Sequence, residues 1–577
     1  MKRSALELGI EIAIVLEPAR RLLGNPWVQR AILVAVIVWV FWNGIWAGVA
    51  RSDHVLYLHH ISQFDSLWDI LSHSPSWNRT GGASVGDLIL YRPVLYLLLG
   101  ILYYLFRYNF VAWQIASLSL HIVVVLGLHL LLIQGRLKQT LFPLGICLLF
   151  ATAFFASELV LWNHMVGYLL FCALDVYAVY FFLRFLQSDR TAFLIACGAL
   201  SLIAEFTFEA GAILNLLFAA TLFARSFFAP VAAEVLAREN RSADRWSALI
   251  FLLAALLLPI ASLIDLRARG FALSPRLYGM GPGQMVLLAG EASVLQVASW
   301  VKTWLVPTAY HIMTLDRAIG EESSFRLTYL RLLNLLGLGL LAVGGVLGLS
   351  RLGRSGVYWR QPLFALALSI LFLLGYSFMI AVGRSVPRGL AVSLQGNVYY
   401  TYIANLTICV GIAAAAAVGR SRVATVDALV EAEPEPPGSR ASPGKSIRRS
   451  DLSRPLVPAL ALLALVNVCG VRDLARRYRY DYAAVRQDVI DRVLAWHQDV
   501  RNRTQRYFEV GATCRPGNVT LHWFDETRVR KDSGWRPPVT LADALFPDRS
   551  APLNASKVFI SRQLVDEIRC DEGPVGH

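Results

Sequence analysis

Arg51-Ser52-Asp53-His54 opens a polar stretch that runs to about residue 90 and follows directly on an apolar run over 31–49. A carboxylate fixed there by the end of a helix lies at a membrane surface, where ionisable groups are usually kept for work. Asp53 can take the proton from a substrate hydroxyl, which is the task of a general base. Taken alone it serves equally well as a solvated loop residue or a helix-end cap. His54, His59 and His60 crowd the same loop. With Asp53 they offer a divalent cation nitrogen and oxygen ligands, but such histidines are more often hydrogen-bonding loop residues, and no metal is assigned. Three further carboxylates stand beside apolar runs: Glu158 in Ser157-Glu158-Leu159-Val160-Leu161-Trp162-Asn163, and Glu205 and Glu209 in Glu205-Phe206-Thr207-Phe208-Glu209.

The elements that must position these groups follow from composition. In 577 residues, 56% are hydrophobic and 16% charged. A soluble core cannot hide so much apolar surface, and the apolar runs repeatedly reach the ~20 residues that cross a bilayer. The net charge of +14 would suit nucleic acid in a soluble protein. Here the basic residues cluster at the ends of apolar runs, as membrane topology demands, so a nucleic-acid partner is excluded and membrane lipids are expected. Cys147, Cys172, Cys197, Cys409 and Cys469 lie in apolar runs without zinc-ligand spacing and read as packing residues.

Lys2, Arg3, Arg20, Arg21 and Arg30 precede the first run and place residues 1–30 in the cytoplasm. Runs over 31–49, 109–133, 141–162, 166–183, 191–208, 211–224, 247–266, 330–349, 363–382, 398–418 and 456–471 give about eleven spans, provided that 88–106 and 284–307 lie in the interface. With that count Arg136, Arg184, Arg190, Arg225, Arg351 and Arg420 all fall on the cytoplasmic side. The expected fold is an all-α polytopic membrane protein with a transmembrane module over 31–418 and an outer loop over 50–108. Residues 419–455, rich in Glu, Pro, Ser and Arg, read as a disordered cytoplasmic linker, and 456–471 as the last span. Residues 472–577 read as a small extracytoplasmic α/β domain, in which Cys514 and Cys570 either pair or stay apart. The expected location is a bacterial inner membrane, with Asp53, Glu158, Glu205 and Glu209 all on its outer face.

These features, in this order, resemble the GT-C superfamily of membrane glycosyltransferases, in particular bacterial relatives of the protein O-mannosyltransferases and of the TMTC and ArnT types. The resemblance rests on Asp53 just after the first span, Tyr91-Arg92-Pro93-Val94 opening a juxtamembrane helix, and His121 on the polar face of the next span. It continues with Ser157 to Trp162, similar to a P-x-x-E-x-V-x-W pattern, and Glu205 to Glu209, similar to an L-x-K-E segment. The chain departs from the family where His54 follows Asp53 in place of a second acid, where Phe208 stands for Lys, and where Gly396-Asn397-Val398-Tyr399-Tyr400 lacks an arginine.

The resemblance implies transfer of a sugar from a polyprenyl-phosphate donor to a protein, glycan or lipid acceptor, with Asp53 and Glu158 catalytic. The leaving lipid phosphate is already anionic and needs cations, for which Arg92, Lys302, Arg317, Arg384 and Arg388 are the outer-face candidates, with Arg92, Lys302, Arg384 and Arg388 the expected phosphate-binding set. Arg92 stands out because it is embedded in an apolar run. His54, His121, Trp162, Asn163, Glu205, Glu209 and Tyr400 are the expected substrate-binding residues. The alternative is a non-catalytic membrane protein, either a flippase or transporter of lipid-linked glycans or a degenerate GT-C scaffold. A transporter places its ionisable residues near mid-membrane on broken helices, often in two matching halves.

Overall fold

Asn25 accepts the Trp27 N–H on its side-chain oxygen at 2.9 Å, and Pro26 fills the first helical position, where a missing N–H goes unnoticed. Together they start helix α1, Pro26–Phe41, which continues as a 3-10 turn over Trp42–Trp46. The computed structural model describes residues 22–46, 61, 64–73, 91–107, 109–134, 141–228, 234–268, 283, 284, 287, 290, 368–377, 379–380, 398–418, 453–477 and 479. Among them there is no strand. The helices after α1 are α2 (Leu67–His73), α3 (Pro93–Phe106), α4 (Phe110–Gln134), α5 (Phe142–Thr152), α6 (Phe154–Leu161), α7 (Val166–Ser188), α8 (Thr191–Thr207), α9 (Ala210–Phe228), α10 (Glu234–Ala268), α11 (Val398–Val418) and α12 (Ser453–Arg477).

Four of the described helices are long and apolar enough to cross a membrane: Pro26–Trp46, Phe110–Gln134, Asn163–Ser188 and Ser242–Asp265. The run expected as one span over 141–162 is instead the pair α5 and α6, which meet at 61° and bring the number to five if they share a crossing. The chain is therefore a mostly helical membrane protein. At 14 residues, α3 is about 21 Å long, short of the ~30 Å hydrocarbon core. The run expected at 330–349 lies outside the described residues, as does nearly all of the expected α/β domain. Helix α12 carries on to Arg477, past the expected boundary at 472.

Helix ends are set by local chemistry. Arg107 closes α3 at φ 48, and its N–H donates to Tyr103 O at 2.8 Å while its guanidinium lies over the Tyr103 ring. Asp189 closes α7 at φ 54, again with its N–H on a carbonyl one turn back. Long-range contacts then fix directions. Gln29 meets His129 at 2.8 Å and Phe41 meets His121, so α1 and α4 run antiparallel. Arg472 lies over Trp39 and Arg479 near Trp46, so α12 runs parallel to α1.

The turn from α8 into α9 brings backbone against backbone. Phe208 is extended, and Gly211 returns so close to α8 that a Cβ there would overlap the Glu205 backbone. Backbone cannot swing aside as a side chain can. Gly211→Ala is expected to cost about 1–3 kcal/mol or to prevent folding, read as a lower melting temperature of the purified protein in detergent. An unchanged melting temperature would refute the close approach.

Candidate functional site

Gln114, Ser117 and His121 are spaced three and four residues apart, so they share one face of α4, and all three are buried. They face α5 and α6, whose C-terminal ends would leave carbonyls unsatisfied inside the membrane. His121 Nε2 lies 3.1 Å from Ala151 O in the last turn of α5, and Gln114 donates to Val160 O in the last turn of α6. A carbonyl only accepts, so Nε2 of His121 carries the hydrogen, and Nδ1 accepts from the Tyr402 hydroxyl of α11 at 2.9 Å. Both ring nitrogens of His121 are thus engaged within the protein. Gln114→Leu leaves Val160 O without this partner and is expected to destabilise by about 1–3 kcal/mol. Thermal melting checks this, and an unaltered transition would refute it.

A second cluster gathers at the end of the bundle where α3 and α7 begin and α8 ends. Arg92, just before α3, grips Glu209 with both Nε and Nη2 at 2.8 Å, across 117 residues of sequence. The side chains are only 8% and 20% exposed, so this is a shielded, bidentate pair. The Arg92 guanidinium also lies 4.6 Å from the Phe208 ring and 5.6 Å from the Tyr168 ring. Phe208 thus gives the arginine an aromatic face. One turn before Glu209, Glu205 is buried and accepts from Asn215 Nδ2 at 2.6 Å and from the Leu258 N–H at 3.1 Å. Glu205 ties α8 to α9 and α10 beside Pro259, the proline inside α10.

Trp162 and Asn163 are buried between α6 and α7, and Trp162 stacks on His164 at 6.1 Å. Glu158 lies on α6, one turn before Trp162, and its side chain is outside the described residues. So are Asp53, His54, His59, His60, Lys302, Arg384 and Arg388, and so is the side chain of Tyr400, which lies on α11. Of the expected site residues, the structure therefore joins Arg92 with Glu209 directly and sets Glu205, Trp162 and Asn163 at the same end. His121 lies deeper, inside the α4, α5 and α11 packing. Among the described residues no three His, Cys, Asp or Glu side chains converge as metal ligands. The opposite end of the bundle is closed by a separate cluster, in which Arg225 of α9 pairs with Asp189 and lies 3.3 Å from Asp244 of α10.

Sequence reasoning passed over Asp175. It lies midway along the span Asn163–Ser188, is 5% exposed, and makes no hydrogen bond or ion pair with the described residues. Periodicity places it one turn below the buried Cys172. Asn405, likewise one turn below Tyr402, is buried, and neither of its side-chain polar atoms has a hydrogen-bond partner among the described residues. The signal was a single carboxylate in the middle of an apolar run.

No family model matches the sequence, and no curated protein matches it. Among solved structures, the chain is similar to the crystal structure of the Archaeoglobus fulgidus oligosaccharyltransferase in complex with Zn and sulfate. The TM-score is 0.35 and the identity 12%, over 82% of this chain and 55% of that one. The chain thus spans little more than half the length of that enzyme.

Proposed function

We propose that this protein is a membrane glycosyltransferase that moves a sugar from a polyprenyl-phosphate donor to an acceptor on the extracytoplasmic face, with Asp53 as general base. The observation that supports it most directly is the Arg92–Glu209 pair, because it unites two segments on which the family resemblance rests, the Tyr91-Arg92-Pro93-Val94 start of α3 and the Glu205 to Glu209 turn. Tyr168 brings the beginning of α7 to the same place, a few residues after Trp162 and Asn163.

In this reading an acceptor hydroxyl attacks the anomeric carbon and gives its proton to Asp53. The bond from that carbon to the phosphate oxygen breaks, and the lipid phosphate leaves as an anion. It needs positive charge but no proton, and Arg92, Lys302, Arg384 and Arg388 are proposed to supply the charge. Glu158 is proposed to assist at the reacting centre, with His54, Trp162, Asn163 and Tyr400 shaping the sugar and acceptor pocket, His121 and Glu205 holding in place the helices that wall it, and Glu209 holding Arg92. A divalent cation at Asp53 and the neighbouring histidines remains the alternative arrangement of that loop. The proposal includes a bacterial inner-membrane location, about eleven spans, a cytoplasmic N-terminus and the site at the outer face.

Reconstituted in liposomes with radiolabelled polyprenyl-phosphate sugars, the protein is expected to deplete the lipid-linked label and to form a labelled product. Intact donor across hexose, pentose and aminosugar carriers would overturn the reading. One observation, the mid-span Asp175, which pairs with no side chain among the described residues, favours the alternative of a transporter for lipid-linked glycans, since such proteins keep ionisable groups at mid-membrane. Movement of the lipid-linked sugar between leaflets without transfer would establish that alternative.

A further inference from the structure

Three tryptophans of the first span, Trp39, Trp42 and Trp46, are spaced three and four residues apart and are 48%, 52% and 46% exposed, so they line one outward face. Helix α12 lies alongside and exposes Leu462, Leu465 and Cys469, followed on the same face by Arg472 and Arg476. The Arg472 guanidinium stacks 4.2 Å from the Trp39 ring. One step farther along, Arg479 donates to Asn43 Oδ1 at 3.3 Å and lies 5.9 Å from the Trp46 ring.

The depth of Arg472 is what calls for a ligand. Because α12 runs parallel to α1, Arg472 is level with Trp39, seven residues and so about 10 Å short of Trp46 at the end of the span. An arginine at that level, on a face whose neighbours are lipid-facing leucines, is costly unless an anion meets it. No carboxylate among the described residues pairs with Arg472. Trp39 offers the face of its ring, which steadies the cation without neutralising it.

We propose that the groove between α1 and α12 binds the phosphate headgroup of an anionic phospholipid. Arg472 and Arg476 hold the phosphate, Trp39 meets the glycerol and upper acyl region at its own level, and Trp42 and Trp46 flank the headgroup on the outward side in the manner of interfacial aromatic residues. The site uses none of the residues of the Arg92–Glu209 cluster described above and does not depend on the proposed sugar transfer. Its occupant is identified by charge complementarity: a guanidinium matches a phosphate with two parallel hydrogen bonds.

The test uses the full chain, purified and delipidated, with phosphatidylglycerol or phosphatidylcholine of the same acyl chains added at equal concentration. Native mass spectrometry is expected to show phosphatidylglycerol retained preferentially, and Arg472→Gln with Arg476→Gln to reduce that preference by about 30-fold at ~1 kcal/mol per arginine. Equal retention of the two lipids by the wild-type protein would overturn the proposal. So would a double variant that keeps the preference. If the double variant does not fold, Trp39→Leu provides the second measurement: a weakened preference for phosphatidylglycerol supports the groove, and an undiminished one overturns it. Polyprenyl phosphate retained where phosphatidylglycerol is not would also overturn it, in favour of a lipid-carrier site.

Discussion

Asp53→Asn is expected to lower the turnover of lipid-linked sugar by about 10²–10⁴-fold, the usual contribution of a positioned general base. The substitution keeps the size of the side chain and its ability to accept a hydrogen bond, but removes the basic oxygen that receives the hydroxyl proton. Donor binding should therefore survive while kcat falls. The measurement is single-turnover transfer by the reconstituted variant, with its melting temperature recorded beside that of the wild type. A variant that melts normally and retains more than about a tenth of wild-type turnover would remove Asp53 from the chemistry. A variant with both turnover and melting temperature reduced would show Asp53 to be a structural cap, the other role open to a carboxylate at the end of the first run.

The second large effect falls on stability. Arg92→Ala leaves Glu209 without the cation that both of its oxygens accept from, and breaking a shielded pair in this way costs about 3–5 kcal/mol. The guanidinium also leaves the Phe208 and Tyr168 rings, so part of the loss is packing. Arg92→Lys should recover only a fraction, since an ammonium makes neither the two-pronged contact nor the flat stack. The double variant Arg92→Ala with Glu209→Ala is expected to be less damaged than the sum of the two single variants, with a coupling of about 1–3 kcal/mol. Melting of the four proteins in one detergent closes this cycle. Strict additivity would mean that the two residues act independently and would remove the main support for uniting the two segments.

The apolar runs announced the helices, because twenty consecutive lipid-compatible residues leave the backbone little choice but to satisfy itself internally. Arg92 also stood out, because a charge in an apolar run must find a partner; that the partner is Glu209 depends on how α3 meets the α8 to α9 turn, which no local pattern encodes. The bend between α5 and α6 was hidden for a similar reason. Residues 141–162 carry no proline or glycine at the break, and the group that meets a carbonyl there is distant: His121 on α4, against Ala151 O. Read from sequence, His121 looked like a substrate ligand because a histidine in a span is unusual. Its two hydrogen bonds to Ala151 and Tyr402 come from elements 30 and 281 residues away. Asp175 was legible and was missed, because an overall count of apolar residues averages one carboxylate away.

The side-by-side arrangement of α1 and α12 bears on how the protein is made. Helix α1 emerges from the ribosome early, yet the neighbour that covers its flank, together with parts of α5 and α6, arrives only after the rest of the membrane module has been threaded. Until then that flank must be shielded by lipid or by an insertion chaperone, and the bundle closes along it only once α12 has been inserted. Nascent chains arrested before residue 453 should therefore be open along this seam and preferred substrates for membrane quality-control proteases.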